Sequence, residues 1–391
     1  MGRSIEANFN IGREIESSDQ ELWQSNEMRV VIPEKTAIPQ SEGLHIEVES
    51  KKVLQPHWLE EDAAEQLRMG YYSLPVAKVL AEGRQTPDFW ANIHFNARPG
   101  FDRSINVFGR SPESEEAWGK PVKIRSAGVS EKLPDDTKEN LEETFERYMT
   151  LWRKNKDNIK VFEDGVEPLD PESDEYREEV EFYGTKDDPW KEDVLWANKK
   201  FVLVNVRNPH LTGTHLVVHP RQKYWQGKEG FKRAWQVNPG ESANEHIKGF
   251  LESMAILLAT EKILAEQKGL KFNNPEIHFS GNWAKDLKTV EQGGKVSMRY
   301  LEGDKARAMK EKEKASHKPG RPGEFQTAFH GHLYATRDPD QYVDLPSRPA
   351  GEVPEEWQGI SRSAAGETDL VKTALENNLN KALDDNYRVN L

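Results

Sequence analysis

The stretch that decides the fold lies near the end of the chain and reads Ala328-Phe329-His330-Gly331-His332-Leu333-Tyr334-Ala335-Thr336. Side chains alternate between the two faces of a β-strand, so a strand here has two different faces. The polar face carries His330, His332, Tyr334 and Thr336. The opposite face carries Phe329, Leu333 and Ala335, which suit a hydrophobic core. The sequence therefore predicts a strand whose polar face lines a cleft or meets water.

Two histidines two residues apart place two imidazoles on that polar face. A histidine side chain has a reference pKa of about 6.5, so a neutral ring nitrogen is present at neutral pH to attack a phosphorus atom. The His-x-His pattern alone is also typical of a solvated sheet face or of a metal site. The residues around it are needed to choose between these interpretations.

A predicted hairpin precedes this strand in the chain. Phe201 to Val206 is an apolar run typical of a buried strand, and His215 to His219 is a second run that ends at Pro220. Asn208 to Gly213 supplies turn residues between the two runs. The two strands are expected to pair with each other.

The clearest helix in the sequence follows the hairpin. Ser242 and Glu245 have the spacing of a capping box, and the helix is expected to end at Gly269. Its apolar stripe consists of Ile247, Phe250, Leu251, Met254, Leu257 and Leu258. Ile277 to Asn282 then predicts a further strand.

The first 160 residues are predicted in two parts. Residues 1–40 are polar without a clear period, and we interpret them as an extended N-terminal arm. Residues 41–160 are interpreted as a sheet-rich region with a helix, because β-prone runs such as Phe89 to Phe95 and Ser104 to Gly109 alternate with turn residues. The helix begins near Asp135, and its apolar face carries Leu141, Phe145, Tyr148, Met149 and Trp152.

Residues 161–193 are strongly acidic and contain Pro168, Pro171 and Pro189, which predicts an acidic connector at a domain boundary. Residues 194–339 are expected to form the catalytic domain. Residues 340–391 are expected to form a C-terminal tail with a short helix through Leu370, Val371, Ala374 and Leu375. We find no internal repeat in the sequence.

A basic insert, residues 284–324, lies between the last two predicted strands of the catalytic domain. Its basic residues are Lys285, Lys288, Lys295, Arg299, Lys305, Arg307, Lys310, Lys312, Lys314, Lys318 and Arg321. Such a segment can close over a polyphosphate and supply positive charge to it. The alternative is a solvated helix with Glu–Lys pairs.

Composition excludes several classes of function. The 391 residues include no cysteine, so disulfides, thiol nucleophiles and thiolate metal sites are excluded. A formal charge of -13 argues against general nucleic-acid binding. No stretch has the length of apolar sequence that a membrane span needs, and no secretion signal is present at the start, so a cytoplasmic protein is expected.

The order of these motifs resembles a known family. A hairpin with Pro-x-x-x-Gly and His-Leu-Val-Val-His-Pro, a long helix, a strand ending in Gly-Asn, and Gln-Thr-x-x-His-x-His follow one another between residues 194 and 339. This order is similar to that of the histidine-triad (HIT-like) superfamily. It is most similar to the branch that contains galactose-1-phosphate uridylyltransferase and the dinucleoside polyphosphate phosphorylases. The resemblance implies an α+β fold with a HIT-like antiparallel sheet and a long packed helix.

The resemblance also implies roles for individual residues. His332 matches the nucleophilic histidine of the family, and His330 matches the first histidine of its motif. Tyr334 stands where the third histidine is expected, and can donate a hydrogen bond to a phosphate oxygen, as a glutamine does in the transferase branch. The residues implied to bind the nucleotide or its phosphates are Asn282, Gln326, Thr327 and His219.

The implied function is nucleotidyl transfer or phosphorolysis through a covalent nucleotidyl-histidine intermediate. The substrate is expected to be a nucleotide or nucleotide-sugar, and the acceptor a phosphate or sugar phosphate that Arg98, Arg103 and Arg110 can contact. Family members often pair, so a homodimer is an expected assembly.

Three alternatives remain at this point. The first is a nucleotide phosphoanhydride hydrolase of the same fold, and the second is a non-catalytic nucleotide-binding protein. The third is a metal protein. The leading interpretation requires no cofactor, and the sequence does not decide whether a divalent metal binds. Its candidate ligands are His210, His215, His219 and His278, together with His330.

Overall fold

The computed structural model of the protein describes residues 20–36, 43–52, 62–83, 90–96, 104–110, 128–129, 132–183, 192–206, 214–226, 237–266, 276–281, 329–335, 371–376 and 378–391. The strands are β1 Gln20–Gln24, β2 Met28–Ile32, β3 Lys35–Thr36, β4 Gly43–Ser50, β5 Trp90–Asn96, β6 Ser104–Arg110, β7 Gly128–Val129, β8 Glu192–Ala197, β9 Phe201–Val206, β10 Thr214–Pro220, β11 Glu276–Gly281 and β12 Phe329–Ala335. The helices are α1 Ala63–Gly83, α2 Asp135–Asn155, α3 Asp174–Tyr183, α4 Gln222–Gln226 and α5 Glu241–Glu266, with a 3-10 turn at Lys156–Asn158. Residues 371–376 and 378–386 are also helical, and we call them the C-terminal helical segment.

Ten strands form one sheet in the order β1-β2-β4-β6-β5-β11-β12-β10-β9-β8, while β3 and β7 form a separate two-stranded sheet. Every neighbouring pair in the large sheet is antiparallel. The predicted mixture of helices and antiparallel strands is therefore confirmed, as is the pairing of β9 with β10. Strands from both sides of the predicted domain boundary belong to this one sheet, because β5 pairs with β11.

The large sheet consists of two halves with the same arrangement. The first half contains β1, β2, β4, α1, β5, β6 and α2 in chain order. The second contains β8, β9, β10, α5, β11, β12 and the C-terminal helical segment. From the outer edge of the sheet inward, the strands of the first half are β1, β2, β4, β6 and β5, and those of the second half are β8, β9, β10, β12 and β11. In each half, the last two strands along the chain therefore lie in reversed order in the sheet. The innermost strands of the two halves, β5 and β11, pair with each other in the middle of the sheet. We call this pairing the seam.

The outer strands of the two halves carry the same local irregularity. β1 has a bulge between Glu21 and Trp23, and β8 has a bulge between Val194 and Trp196. Trp23 Nε1 donates to Glu146 Oε2 of α2 at 2.9 Å, and Trp196 Nε1 donates to Asn380 Oδ1 of the C-terminal helical segment at 2.7 Å. In each half, the last helix thus accepts a hydrogen bond from the tryptophan that follows the bulge in the first strand. The structure therefore contains an internal repeat that is not visible in the sequence.

Helices cover one face of the large sheet. α1 lies against β4, β5 and β6, and α5 lies against β10 and β12. Their buried side chains form the main core with strand residues such as Ile46, Val107 and Leu333. Gly70 of α1 has no Cβ, which leaves room for Met254 of α5 where the two helices approach each other. The helices therefore fix the two halves to each other on this side of the seam.

The helix α1 was not among the predicted elements of residues 41–160, which were expected to be sheet-rich with a helix that begins near Asp135. Its 21 residues include Pro75, which interrupts a helical pattern in sequence. Every residue from Met69 to Leu80 is buried, so α1 has no polar stripe opposite an apolar one. A helix covered on all sides gives no amphipathic signal. The helix predicted to begin near Asp135 is confirmed as α2, which buries Phe145, Tyr148, Met149 and Trp152.

The predicted extended arm is also corrected within its described part. β1, β2 and β3 lie in residues 20–36, and all five residues of Met28–Ile32 are buried. Leu22 and Trp23 join the main core. A short strand that is buried on both faces has no two-residue alternation, which explains why the sequence did not reveal it. Residues 1–19 and 37–40 lie outside the described residues.

The acidic connector is packed against the rest of the protein in its described part. Val161, Phe162 and Val166 join the main core, and α3 brings Tyr176 onto the sheet. Phe162 adopts a positive φ of 52°, and its backbone hydrogen bond with Glu252 lies at this bend. Acidic sequence here therefore encodes a packed segment whose charges have specific partners.

The capping box predicted at Ser242 and Glu245 is replaced by another arrangement at the start of α5. Gly240 N donates to Asn244 Oδ1 at 3.2 Å, and Asn244 N donates to Gly240 O at 2.8 Å. Glu245 Oε1 instead accepts a hydrogen bond from Tyr224 OH at 2.7 Å. Asn244 thus takes the capping role because Glu245 is used to hold α4.

The predicted helix in the C-terminal tail is confirmed. Val371, Ala374 and Leu375 pack in the main core. Leu391 N donates to Ile159 O at 3.2 Å, which ties the end of the chain to the segment after α2. Among the helices that the structure describes, none combines the length and apolar character that a membrane-crossing segment requires.

One carboxyl group is buried in this helical layer without a hydrogen bond. Glu261 of α5 is 1% exposed, and neither of its carboxyl oxygens has a hydrogen-bond partner among the described residues. Burial raises the pKa of Glu261 from 4.5 to about 8. Burial, and then the neighbouring Glu261, raise the pKa of Tyr387, whose hydroxyl donates to Gln66 Oε1 at 3.3 Å. Glu261 is therefore a proton-binding group of the folded state.

Glu261→Gln is expected to remove a pH dependence of folding. The pKa of Glu261 is higher in the folded than in the unfolded chain, so the folded state binds an extra proton between about pH 4.5 and about pH 8. Stability falls as pH rises through this window, by up to about 1.4 kcal/mol per pH unit. Urea unfolding across this range should show the variant gaining stability over the parent toward the alkaline end. Glu266→Gln, at an exposed position of the same helix, is the control, and identical pH dependence in all three proteins would contradict the prediction.

Candidate functional site

One row of cross-strand neighbours crosses the entire ten-stranded sheet. It begins at the seam, where His94 is paired with His278. From His94 the partners continue toward one edge as Asn106, Glu47, Val31 and Glu21. From His278 they continue toward the other edge as His332, Val217, Val204 and Val194. We call these ten residues the central row.

The two arms of the central row occupy equivalent positions of the internal repeat. Each arm reaches, after the same number of strands, the residue that precedes the bulge, Glu21 in β1 and Val194 in β8. Asn106 in the first half therefore takes the position that His332 takes in the second. The residues two positions away correspond likewise, Ser104 with His330 and Phe108 with Tyr334.

The central row lies on the sheet face opposite α1 and α5. Ile93 and Leu333 belong to the main core beneath the helices. Because side chains alternate along a strand, His94 and His332 lie on the other face. Direct cross-strand partners share a face, so the whole row lies there. We call this side of the sheet the polar face.

In the first half, the described side chains form a buried polar network around Asn106. His45 Nε2 donates to Asn106 Oδ1 at 2.7 Å and lies 3.8 Å from Glu47 Oε1. The ring of His45 stacks on Phe108 with 4.5 Å between the centroids. All four side chains are buried. In this half, the position equivalent to His332 thus serves to hold a neighbouring histidine.

A buried ion pair lies beside this network. Arg29 on β2 and Glu49 on β4 are direct partners in the ladder, and the Arg29 guanidinium bonds the Glu49 carboxylate. Buried charges are stable only when paired, and this pair compensates both. The first half of the polar face therefore contains a buried hydrogen bond and a buried ion pair formed by its own side chains.

In the second half, the outer part of the polar face is apolar. A small second core contains Tyr176 of α3 with Val194, Ala197, Val202, Val204 and Val217. Arg221, which is 1% exposed, holds α3 in place through Glu175 Oε1 at 2.9 Å and Glu179 Oε1 at 2.8 Å. The central row therefore passes from the polar network, through three histidines, to an apolar wall that starts at Val217.

The structure places the predicted catalytic residues on β12. His330, His332 and Tyr334 alternate with Gly331 and Leu333 and therefore share the polar face. β12 lies between β11 and β10, in the interior of the sheet. The predicted strand is thus confirmed in its position, and Leu333 lies in the core as predicted.

The cross-strand partners of these residues differ on the two sides of β12. On β11, His330 is paired with Ser280, His332 with His278, and Tyr334 with Glu276. On β10, His332 is paired with the buried Val217, and Tyr334 is paired with His215. The direct cross-strand partner of His332 is therefore polar on the seam side and apolar on the other side.

Two of the remaining candidates also belong to this region. His219 lies on β10, is paired with Val202, and shares the face of Val217 two residues before it. Arg110 is the last residue of β6 and is paired with Trp90 and Gly43, away from the central row. The following candidates lie outside the described residues: Asn282, Gln326, Thr327, Thr336, Arg98, Arg103, His210, Gly269, Leu370 and the basic insert.

Several residues of the central row were not among the predicted site residues. His94, Asn106 and Glu47 come from the first half, and no sequence pattern predicts that this half lies beside β12. The alternation of Asn92 and His94 in a predicted strand was the only signal present in the sequence. Which strands become neighbours depends on pairing between distant segments, and a strand's own sequence does not contain that information.

The metal alternative is not supported by the side chains that are described. Among them, no group of three histidine, aspartate or glutamate residues is arranged to hold a metal ion. The predicted ligands His215, His219, His278 and His330 do lie on strands of the polar face. Metal binding by these four residues stays a prediction.

Comparison of the chain with models of protein families, with curated proteins and with solved structures gave no match. The functional assignment therefore depends on the residues of the polar face and on the register that brings them together.

Asn106→Leu is expected to destabilise the protein by about 1–3 kcal/mol, because it removes the acceptor for the buried His45 ring nitrogen. The double variant His45→Phe, Asn106→Leu should cost less than the sum of the two single changes, since both polar partners are then absent. Urea unfolding of the four proteins in this cycle measures the coupling. Strict additivity would show that the contact between His45 and Asn106 contributes nothing.

Proposed function

We propose that the protein is a nucleotidyltransferase with a HIT-like fold that works through a covalent nucleotidyl-histidine intermediate on His332. A ring nitrogen of His332 attacks the α-phosphorus of a nucleoside phosphate or nucleotide-sugar. A phosphorus–nitrogen bond forms, and the bond from phosphorus to the leaving group breaks. Phosphate or a sugar phosphate then takes the nucleotidyl group and frees His332.

The observation that carries this proposal is the position of His332 at the middle of the polar face. It lies between His278 on one neighbouring strand and the buried Val217 on the other. An apolar neighbour lowers the local dielectric, which strengthens electrostatic interactions with a phosphate. Histidines on the other side supply groups that can donate or accept protons near neutral pH. This combination suits a phosphorus-transfer site better than a solvated sheet surface.

The order of elements supports the HIT-like part of the proposal. The hairpin β9–β10 comes first, then the 26-residue helix α5, and then β11 and β12. In the sheet these strands are neighbours in the order β11-β12-β10-β9, with α5 packed on their other face. Of the motif residues, the His-Leu-Val-Val-His-Pro run lies on β10, and His330 and His332 lie on β12.

Tyr334 favours transfer over hydrolysis in this proposal. The family's third histidine protonates leaving groups in the hydrolases, and a tyrosine at that position keeps only the ability to donate a hydrogen bond. Hydrolysis of nucleotide phosphoanhydrides by the same residues is the alternative reaction. We further propose a cytoplasmic protein that needs no metal and that pairs with a second copy of itself.

One observation favours a second candidate, a non-catalytic nucleotide-binding protein. In the first half of the repeat, Asn106 occupies the position of His332 and is engaged with His45. One copy of the site is therefore already without a nucleophilic histidine. In this second candidate, the second half would bind nucleotides without catalysing a reaction, so that both halves would lack catalytic activity.

Incubation with nucleotides radiolabelled at the α-phosphate is expected to give an acid-labile adduct on His332, because phosphorus bound to imidazole nitrogen hydrolyses in acid. Peptide mapping by mass spectrometry under alkaline conditions locates the adduct. His332→Gln should abolish it. His246→Gln is the matched control, since His246 lies on α5 behind the opposite face of the sheet and should leave adduct formation intact.

Two results separate the candidate functions. An adduct that disappears on addition of phosphate or a sugar phosphate, with transfer of the label, supports the transferase, and loss to water alone supports the hydrolase. Absence of any adduct across a panel of nucleotides, together with unchanged nucleotide affinity in His332→Gln, would establish the non-catalytic alternative.

A further inference from the structure

The proposed transfer requires a source of protons beside His332 whenever the leaving group is basic. When the bond from phosphorus to the leaving group breaks, a basic leaving-group oxygen needs a proton. Tyr334 stands two residues after His332, where a third histidine would supply one. The register of β11 against β12 offers another histidine.

We propose that His278 is the general acid and base of the reaction at His332, an inference that rests on the proposed function. His278 is the direct cross-strand partner of His332 on the polar face. Directly opposed residues of antiparallel strands have Cα atoms about 4.5–5.5 Å apart. Residues two positions along one strand, such as His330 and Tyr334 relative to His332, are separated by about 6.6 Å. His278 therefore occupies the closest titratable position to the nucleophile.

The other side of His332 strengthens this assignment. Its partner on β10 is Val217, which is 2% exposed and carries no proton. The remaining titratable residues at neighbouring positions are His94 on β5, His330 and Tyr334 on β12, Glu276 on β11, and His215 and His219 on β10, none of which is a direct cross-strand partner of His332. Of these, only the histidines carry a transferable proton at neutral pH in their ordinary state. Of the two direct cross-strand partners of His332, only His278 can therefore donate a proton.

The two half-reactions balance with His278 in this role. In the first, the His332 nitrogen forms a bond to phosphorus, the bond from phosphorus to the leaving-group oxygen breaks, and that oxygen takes a proton from the His278 imidazolium. In the second, neutral His278 takes a proton from the acceptor hydroxyl as its oxygen bonds to phosphorus and the bond to His332 breaks. His278 ends the cycle protonated, and His332 ends it free.

This assignment predicts which substrates depend on His278. A leaving group that is stable as an anion needs no proton, whereas a basic one does. Adduct formation on His332 from the p-nitrophenyl and phenyl esters of adenosine and uridine 5′-monophosphate compares the two cases directly. His278→Gln should slow the reaction of the phenyl esters by about 10²–10⁴-fold and that of the nitrophenyl esters far less.

His94→Gln is the matched control. His94 is the same type of residue in the same row, but it lies two strands from His332, at about twice the strand spacing of 4.8 Å. It should leave the ratio of the two rates unchanged. Equal slowing of both esters by His278→Gln, or the same selective loss in His94→Gln, would overturn the assignment.

The unmodified protein gives a test that does not depend on how the variants fold. Its rate with the phenyl esters should fall as pH rises and the His278 imidazolium loses its proton, and its rate with the nitrophenyl esters should not. Parallel pH profiles for the two esters would contradict the role of His278 while leaving the nucleotidyl-histidine proposal standing. If neither ester gives an adduct with the unmodified protein, both the role of His278 and the nucleotidyl-histidine proposal are contradicted.

Discussion

The site depends on the seam, the antiparallel pairing of β5 with β11 at the centre of the sheet. This pairing joins two halves that each have their own strands and helices. Its register places His94 opposite His278, and the pairing of β11 with β12 places His278 opposite His332. A shift of one residue would move His278 to the helix-covered face and Ile277 to the polar face. The main core opposes such a shift, because Ile93 and Leu333 are buried beneath the helices.

The two halves share an arrangement but use its central position differently. In the first half, Asn106 accepts a hydrogen bond from His45, which stacks on Phe108, and all three are buried. In the second half, the equivalent strand carries His330, His332 and Tyr334. A buried network whose members satisfy one another makes a half rigid. The first half therefore provides a fixed support against which the second half presents its histidines.

Elements with a clear sequence period were predictable, and long-range pairing was not. The strand β12, the hairpin β9–β10 and the helix α5 follow from alternation or from a helical stripe, and the structure contains all three. α1 and β2 were missed because each is buried on every side and so has no alternation to detect. His94 and Asn106 were missed for another reason. Their strands were predicted, but they reach β12 only through the pairing of β5 with β11, whose partners His94 and His278 are 184 positions apart.

A buried ion pair between distant residues also holds the second half together, and no local sequence pattern predicts it. Lys200, at the start of β9, lies 2.9 Å from both carboxylate oxygens of Glu252 in α5. Burial raises the pKa of the Glu252 carboxyl, and the neighbouring Lys200 acts in the opposite direction. Removing one partner of such a pair leaves an uncompensated buried charge, at a cost of about 3–5 kcal/mol. Because Glu252 also bonds the backbone of Phe162, this contact fixes α5 to both the sheet and the segment that links the halves. The helix behind β12 is thus fixed by charge as well as by apolar packing, which keeps the strand that carries His332 in place.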